Sequence, residues 1–264
     1  MPRSREFTLA ALAALFGLGG MASGGGSAAR LPENFPDVVA QVRLGLGAVG
    51  TYNPAHHPPL SFAASGFFID NRGHFVTADH AIESIAERKH LGDLRVFLPS
   101  DAEPEGHTAK VLARDARFDV AVLEVQGGDY CPLAIGDSAA AREGQSIALC
   151  GFPFGIQLGL HPSTCVGIIS SISPIAVPAI NSRQLDAETI EALRHPFNIF
   201  QLDATAYPGN SGCPLFDPRS GKVLGVVNRA GISKTKERII STGMSYAMPI
   251  HLAKDMLERS LKKK

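Results

Sequence analysis

The sequence has no excess of charge of either sign, which limits the kinds of partner it can have. Lysine and arginine together number 25, and so do aspartate and glutamate, so the formal net charge is zero. The sequence lacks the basic excess that would indicate nucleic acid as a partner, and it lacks an acidic tail that would indicate a disordered segment.

Cysteines are few. There are four, Cys131, Cys150, Cys165 and Cys213, and none has the C-x-x-C spacing that is typical of zinc sites. No metal or other cofactor is therefore expected. In an exported protein the four cysteines can pair in three connectivities, and buried free thiols are the alternative.

The first 29 residues are expected to be a signal peptide or a membrane anchor. Arg3 and Arg5 precede an apolar stretch from Leu9 to Leu18, and small residues follow from Met21 to Ala29. This order is typical of a secretory signal. The apolar stretch is short for a membrane span, which needs about 20 residues. The protein is therefore predicted to be periplasmic or extracellular, with membrane attachment through an uncleaved leader as the alternative.

Short apolar runs separated by turn residues predict an all-β domain over residues 30–264. The 27 glycines and 18 prolines are scattered among these runs, as in turn-rich β proteins. Runs 65–69 and 74–77 flank Asp70-Asn71-Arg72-Gly73, which predicts a hairpin. Further strands are predicted at 94–98, 109–112, 120–125, 146–151, 164–172, 199–202, 214–216, 222–228 and 243–247. This spacing favours antiparallel barrels or sandwiches.

Three helices are predicted among the strands. A short one is expected around Asp37–Val42, and a second from Asp186 to Leu193 within the long connection 174–198. A connection of that length often has a functional role. The last helix is expected to start at Pro249, a residue that is favoured at the first helical position.

Ser211, between Gly209-Asn210 and Gly212, is the candidate nucleophile. A serine hydroxyl is a weak nucleophile, and it needs a neighbouring base, usually histidine, which a third group holds in place. His80 leaves an apolar strand and enters a short turn, and Asp119 starts the apolar run 120–125. Asp115 is the alternative acid, and its flanking residues indicate a turn instead.

These motifs, taken in order, resemble the trypsin-like peptidases, most closely the HtrA/Deg branch, from about residue 35 to residue 258. The segments that carry the resemblance are Ser65–Ile69, Thr77–His80, Asp119–Val122, Gly151–Gly155, Val166–Ser170, Gln201–Ala204, Gly209–Gly212 and Tyr246–Pro249. The resemblance implies two six-stranded antiparallel β-barrels of the chymotrypsin-like kind. Barrel one is expected at about 49–135, barrel two at about 136–248, and a C-terminal helix at 249–262.

The resemblance also implies a serine endopeptidase that acts on unfolded or flexible polypeptides. His80 would be the general base, Asp119 its orienting partner and Ser211 the nucleophile. Backbone N–H groups of the turn formed by Gly209, Asn210 and Ser211 would form the oxyanion hole.

Substrate preference follows from two further positions that the resemblance assigns to the specificity pocket, Thr205 and Asn228. Because Thr205 carries no charge, small or medium apolar residues are expected before the scissile bond. A homotrimer is a candidate assembly, with Phe35 as a candidate contact.

Three departures from the family pattern matter. Cys213 stands where the family most often has glycine, and the PDZ domain that commonly follows the protease in this family is not expected here, since the sequence ends at Lys264. Asn210 stands where digestive relatives carry an acid that pairs with a new N-terminus, so no such zymogen step is expected.

The serine motif allows two alternatives to a peptidase. The α/β-hydrolases use G-x-S-x-G followed by a helix, whereas here Cys213 replaces the last glycine and Pro214 begins a strand. A catalytically silent binding module with the same fold is the non-enzyme alternative.

Overall fold

Two closed antiparallel barrels dominate the computed structural model, which describes residues 31–88, 92–99, 106–155, 159–174, 197–228 and 245–262. Residues 31–264 form one compact unit. The predicted leader and the predicted helix at 186–193 lie outside the described residues. The fold class is confirmed as all-β with two six-stranded barrels and a helix near each end.

Barrel one has the strand order β1-β2-β3-β6-β5-β4. Its strands are β1 Leu46–Tyr52, β2 Leu60–Phe68, β3 His74–Thr77, β4 Asp93–Phe97, β5 His107–Asp115 and β6 Val120–Val125. Fully or almost fully buried side chains such as Val49, Phe68, Phe75 and Leu123 fill its interior. The predicted hairpin is present, and Asp70 closes its turn by accepting the backbone N–H groups of Arg72 and His74.

Barrel two has the strand order β10-β11-β12-β9-β8-β7. Its strands are β7 Ser146–Gly151, β8 Ser163–Pro174, β9 Asn198–Asp203, β10 Pro214–Phe216, β11 Val223–Asn228 and β12 Ser245–Pro249. Ile147, Leu149, Ile169 and Leu215 are buried in its interior. A further apolar cluster joins side chains of both barrels, which fixes the two barrels against each other.

Three α-helices accompany the strands in the described residues: α1 Phe35–Leu44, α2 Asp79–Glu87 and α3 Ile250–Leu261. Helix α1 buries Val38 and Val42, and its Phe35 is partly buried against the core. Helix α3 buries Met256 and Leu257. No helix in the described part of the chain is both long and apolar enough to span a membrane.

Helix α2 corrects the sequence-based expectation of a short turn around His80. Ala81 and Ile82 are buried, and Ile85 packs partly buried against the core of barrel one. The residue before the helix, Ala78, has no side chain that can cap it. Packing on the barrel therefore supports this helix rather than a local start signal, which explains why the sequence alone did not indicate it.

Candidate active site

His80 is the second residue of α2 and lies just beyond the end of β3, where Asp119 holds it at two points. The imidazole Nδ1 lies 2.8 Å from Oδ2 of Asp119, and the backbone N–H of His80 donates to Oδ1 at 2.8 Å. The side chain of His80 is 49% exposed, so part of the ring remains accessible. One carboxylate thus fixes both the position of the residue and the orientation of its ring.

The surroundings of His80 raise the pKa of its imidazole above the ordinary value of 6.5. The hydrogen bond with Asp119 is the largest cause, and partial burial opposes it. The negative charges of Asp119, Asp79 and Glu83 raise the pKa further. The site therefore stabilises the imidazolium form, which a general base must become during the reaction.

Asp119 has a left-handed backbone conformation, with φ of 48°. The side-chain amide of Asn228, at the end of β11, donates to the carbonyl oxygens of Asp119 at 3.1 Å and Phe118 at 3.3 Å. These bonds tie the aspartate turn of barrel one to barrel two. Because a left-handed backbone is rare for a residue with a side chain, it needs such support from the surrounding structure.

Asp115, the alternative acid, takes part in a local ion pair. Its Oδ2 lies 2.7 Å from Nη2 of Arg117, and its Oδ1 accepts the backbone N–H of Arg117. This is the geometry of a turn residue, as its sequence context indicates. His80 is held by Asp119 instead.

Asp79, directly before His80, is a site residue that the sequence analysis missed. Its side chain is 3% exposed and pairs with Arg114 of β5 through two bonds, Nε to Oδ1 at 2.5 Å and Nη2 to Oδ2 at 3.0 Å. The sequence shows only an acid before the histidine and an arginine 35 residues after that acid. The two cannot be recognised as an ion pair until the fold places β5 beside α2. The fold therefore places a paired charge beside the imidazole.

The turn that carries Ser211 begins and ends at glycines with positive φ, Gly209 at 98° and Gly212 at 83°. A Cβ atom at Gly212 would lie 2.3 Å from the carbonyl oxygen of Ser65 and 2.7 Å from the backbone nitrogen of Ala78. Glycine is required there because no side chain fits and because the backbone is left-handed. The serine turn thus lies against the end of β3, two residues before His80.

Two backbone N–H groups of this turn have no acceptor in the part of the chain that the structure describes. Within the described residues, neither Gly209 nor Ser211 donates its N–H, whereas Asn210, Gly212 and Cys213 all donate theirs. The peptide before Gly209 is held through the carbonyl of Pro208, which accepts from Phe154 N–H at 2.7 Å. The peptide before Ser211 is held through the carbonyl of Asn210, which accepts from Cys213 N–H at 3.0 Å.

A trans peptide directs its N–H opposite to its carbonyl. In both peptides the carbonyl oxygen is held by a hydrogen bond. The N–H groups of Gly209 and Ser211 therefore point to the opposite side, away from those bonds. Two fixed and unused donors are what stabilisation of an oxyanion requires.

The end of β11 joins the serine turn to the aspartate turn. Val227 accepts from Gly212 N–H at 2.7 Å and donates to the Cys213 carbonyl at 2.9 Å, and the next residue, Asn228, binds the aspartate turn. Because Asp119 also binds His80, all three sequence-predicted site segments are connected. The sequence analysis had assigned Asn228 to the specificity pocket and not to this connection.

Thr205 is exposed in the segment between β9 and the serine turn. Its neighbours Ala204 and Ala206 are both bound to the hydroxyl of Ser245, which fixes this segment. The pocket roles of Thr205 and Asn228 stay predictions.

A groove of about 600 Å³ lies beside the serine turn, on the side formed by β2. Leu60, Phe62, Phe154 and Gly209 are among its lining residues. A second groove of about 240 Å³ adjoins it and is lined in part by Phe62 and His80. An extended chain lying in these grooves would pass beside both His80 and the serine turn.

None of the four cysteines is paired in the structure. Cys150 and Cys213 are fully buried, and burial raises the pKa of the Cys213 thiol well above its usual range. The Cβ of Cys213 packs at Gly151, where an added Cβ would lie 2.9 Å away. The side chain at position 213 therefore points into barrel two and leaves the serine turn intact.

Comparison with known proteins places this geometry in a family. Residues 64–226 match the family model described as the trypsin-like peptidase domain. The chain is 32% identical over 227 residues to a "probable periplasmic serine endoprotease DegP-like" of Halomonas elongata, covering 86% of this chain and 39% of the relative. It is 31% identical over 220 residues to "Protease Do-like 1, chloroplastic" of Arabidopsis thaliana, covering 83% and 43%.

The chain thus spans about two fifths of the length of these relatives. The solved HtrA-type protease AlgW with tripeptide superposes with a TM-score of 0.60 at 24% identity, covering 85% of this chain and 62% of that one, which shows the shared fold. The chain belongs to the trypsin-like peptidases, in their HtrA/Deg branch.

Proposed function

We propose that this protein is an exported serine endopeptidase that hydrolyses peptide bonds in unfolded or flexible polypeptides. The observation that carries the proposal is the serine turn, in which two fixed N–H groups have no acceptor among the described residues. This turn packs against Ala78, two residues before the histidine that Asp119 holds. Membership of the peptidase family and the periplasmic names of relatives support the activity and the location.

In the proposed reaction, the Oγ of Ser211 attacks the carbonyl carbon of the scissile bond and transfers its proton to Nε2 of His80. Asp119 holds the Nδ1 proton and stabilises the imidazolium that forms. The N–H groups of Gly209 and Ser211 stabilise the negative charge on the carbonyl oxygen.

The tetrahedral intermediate then collapses to an acyl-enzyme, as His80 returns its proton to the leaving amine. Water, activated by the same imidazole, attacks the ester and releases Ser211. The two grooves beside β2 offer an extended polypeptide a path past the site. Thr205, without charge, agrees with small or medium apolar residues before the scissile bond.

Labelling with a fluorophosphonate probe tests the nucleophile. The wild-type protein should be modified once, at Ser211, and Ser211→Ala should not be labelled, because the probe reacts only with an activated hydroxyl. Ser220→Ala is the matched control, since it removes the hydroxyl of an exposed serine whose hydrogen bonds are local, to the side chain of Asp217 and from the backbone N–H of Lys222.

His80→Ala should also lose labelling, because the hydroxyl then has no base. Cleavage of a reduced, alkylated protein substrate should follow the same pattern among the variants. Equal labelling of the wild type and Ser211→Ala would contradict the assignment. A folded wild-type protein that is neither labelled nor active would instead favour the silent binding module.

A further inference from the structure

Ser65 belongs to β2 of barrel one, yet both hydrogen bonds of its side chain are with barrel two. Its hydroxyl donates to the carbonyl oxygen of Gly209 at 2.7 Å and accepts the backbone N–H of Phe152 at 2.9 Å. Its own backbone N–H donates to the carbonyl oxygen of Ser211 at 2.9 Å. The residue is fully buried, so it cannot touch a substrate.

These bonds place Ser65 across the serine turn. Four successive carbonyls of the turn, from Pro208 to Ser211, each accept one hydrogen bond, and Ser65 supplies two of the four donors. The other two are the N–H groups of Phe154 and Cys213. Ser65 is thus the contribution of barrel one to a turn that is otherwise held from within barrel two.

The bond from Phe152 extends this role to the neighbouring loop. Phe152 begins a tight turn that Gly155 closes by donating to the Phe152 carbonyl at 3.2 Å. Within this turn lies Phe154, whose N–H fixes the peptide that carries the N–H of Gly209. One hydroxyl therefore fixes the carbonyl of Gly209 directly and the orientation of the Gly209 N–H through the loop.

We propose that Ser65 is a positioning residue for the oxyanion turn, holding the N–H groups of Gly209 and Ser211 in place across the boundary between the barrels. The proposal rests on the proposed function for its effect on catalysis. The alternative is that this buried hydroxyl, with its two hydrogen bonds, contributes only to stability. Loss of the hydroxyl would then lower the unfolding temperature without a specific effect on kcat, whereas loss of a positioning residue lowers kcat.

Ser65→Ala separates the two roles. Removal of a single oxyanion donor lowers kcat by about 10² to 10³. Because Ser65→Ala loosens the donors and does not delete them, we expect kcat for a peptide substrate to fall on the order of 10- to 100-fold, with KM changed by less than about threefold. Binding of a peptidyl boronate, whose tetrahedral adduct carries the oxyanion, should weaken by a similar factor.

Ser138→Ala is the matched control. Ser138 is also a buried serine, and its hydroxyl bonds Nδ1 of His251 in α3, at 2.8 Å, away from the serine turn. We expect this control to lower the unfolding temperature and to leave kcat within about twofold. Equal losses of kcat in the two variants, or a loss in Ser65→Ala that follows only its lower stability, would overturn the proposal.

Amide hydrogen exchange gives a readout that needs no activity. In Ser65→Ala the peptide covering residues 207–213 should exchange at least about tenfold faster, with no comparable change in Ser138→Ala. Unchanged exchange would overturn the proposal even if kcat fell. A different result is that the wild-type protein fails to react with the fluorophosphonate probe while the exchange rates of the variants are as expected. That result would count against the proposed function and not against the positioning role of Ser65.

Discussion

Replacement of Asp79 by asparagine should lower the pKa of His80, because it removes a negative charge from the residue directly before the imidazole. Asp79 is buried and bound to Arg114, and it is among the groups that raise the pKa of His80. The amide keeps one acceptor for Arg114 and loses the charge.

The size of the shift follows from Coulomb's law. The imidazole is 49% exposed, so an effective dielectric constant of about 60 and a separation on the order of 8 Å are appropriate, and one unit charge then contributes about 0.7 kcal/mol. This free energy corresponds to about half a pKa unit. At a pH below the titration of His80, where activity is proportional to the fraction of neutral imidazole, the variant should be about three times as active relative to its own maximum.

The assay is kcat/KM against pH for a peptide substrate, measured well below the unfolding temperature. The wild-type acid limb should lie above pH 6.5, since the pKa of His80 is raised. The limb should move to lower pH in Asp79→Asn. In Arg114→Gln it should move to higher pH, because the Asp79 charge then lacks its partner. NMR titration of the His80 ring in the Ser211→Ala protein measures the same pKa without catalysis.

Two variants of the same helix calibrate the result. Glu83 also raises the pKa of His80 but is exposed, so Glu83→Gln should give a smaller downward shift. Glu87→Gln, with the same change of charge at the last residue of α2, should give almost none. The reasoning fails if Asp79→Asn and Arg114→Gln shift the limb in the same direction, or if Glu87→Gln matches Asp79→Asn.

Two further predictions concern glycines and thiols. Gly212→Ala should abolish labelling and lower the unfolding temperature, because its Cβ would lie 2.3 Å from a backbone oxygen of β2. The control is Gly127→Ala, which is also at positive φ but has open space around it, and which should lower the stability by about 1 kcal/mol and keep activity. Full activity in Gly212→Ala would contradict the described turn. Alkylation of the native protein followed by mass spectrometry should modify the exposed Cys131 first and reach Cys150 and Cys213 only on unfolding; rapid native labelling of Cys213 would refute its burial.

Local signals made much of the fold readable from the sequence. The hairpin at Asp70–Gly73 was predicted because the turn residues that define it are adjacent in the chain. Eleven of the twelve described strands were predicted because apolar runs lie between turn residues, but β1, Leu46–Tyr52, which contains Gly47 and Gly50, was missed. The predicted strand ends were less exact. Strand β2 begins at Leu60 instead of residue 65, and β5 extends from His107 to Asp115 instead of covering only 109–112. Pairing with neighbouring strands, rather than composition, decides where those strands end.

The parts that were missed depend on contacts between distant residues. The hydroxyl of Ser65 meets Gly209, which is 144 positions away, and Arg114 meets Asp79 across 35 positions. The left-handed backbone of Asp119 depends on an amide of barrel two. Periodicity and turn residues depend only on residues that are close in the sequence. They therefore cannot predict contacts between residues that are far apart in the sequence.

The hydrogen bonds between Ser65 and the serine turn also bear on how activity arises during folding. The candidate base and acid belong to barrel one and the nucleophile to barrel two, and the bonds of Ser65 and Asn228 join the two. A barrel that has closed alone would therefore carry either the base or the nucleophile, with the turn held incompletely. In a refolding experiment, the recovery of labelling would measure the docking of the two barrels rather than the closure of either one.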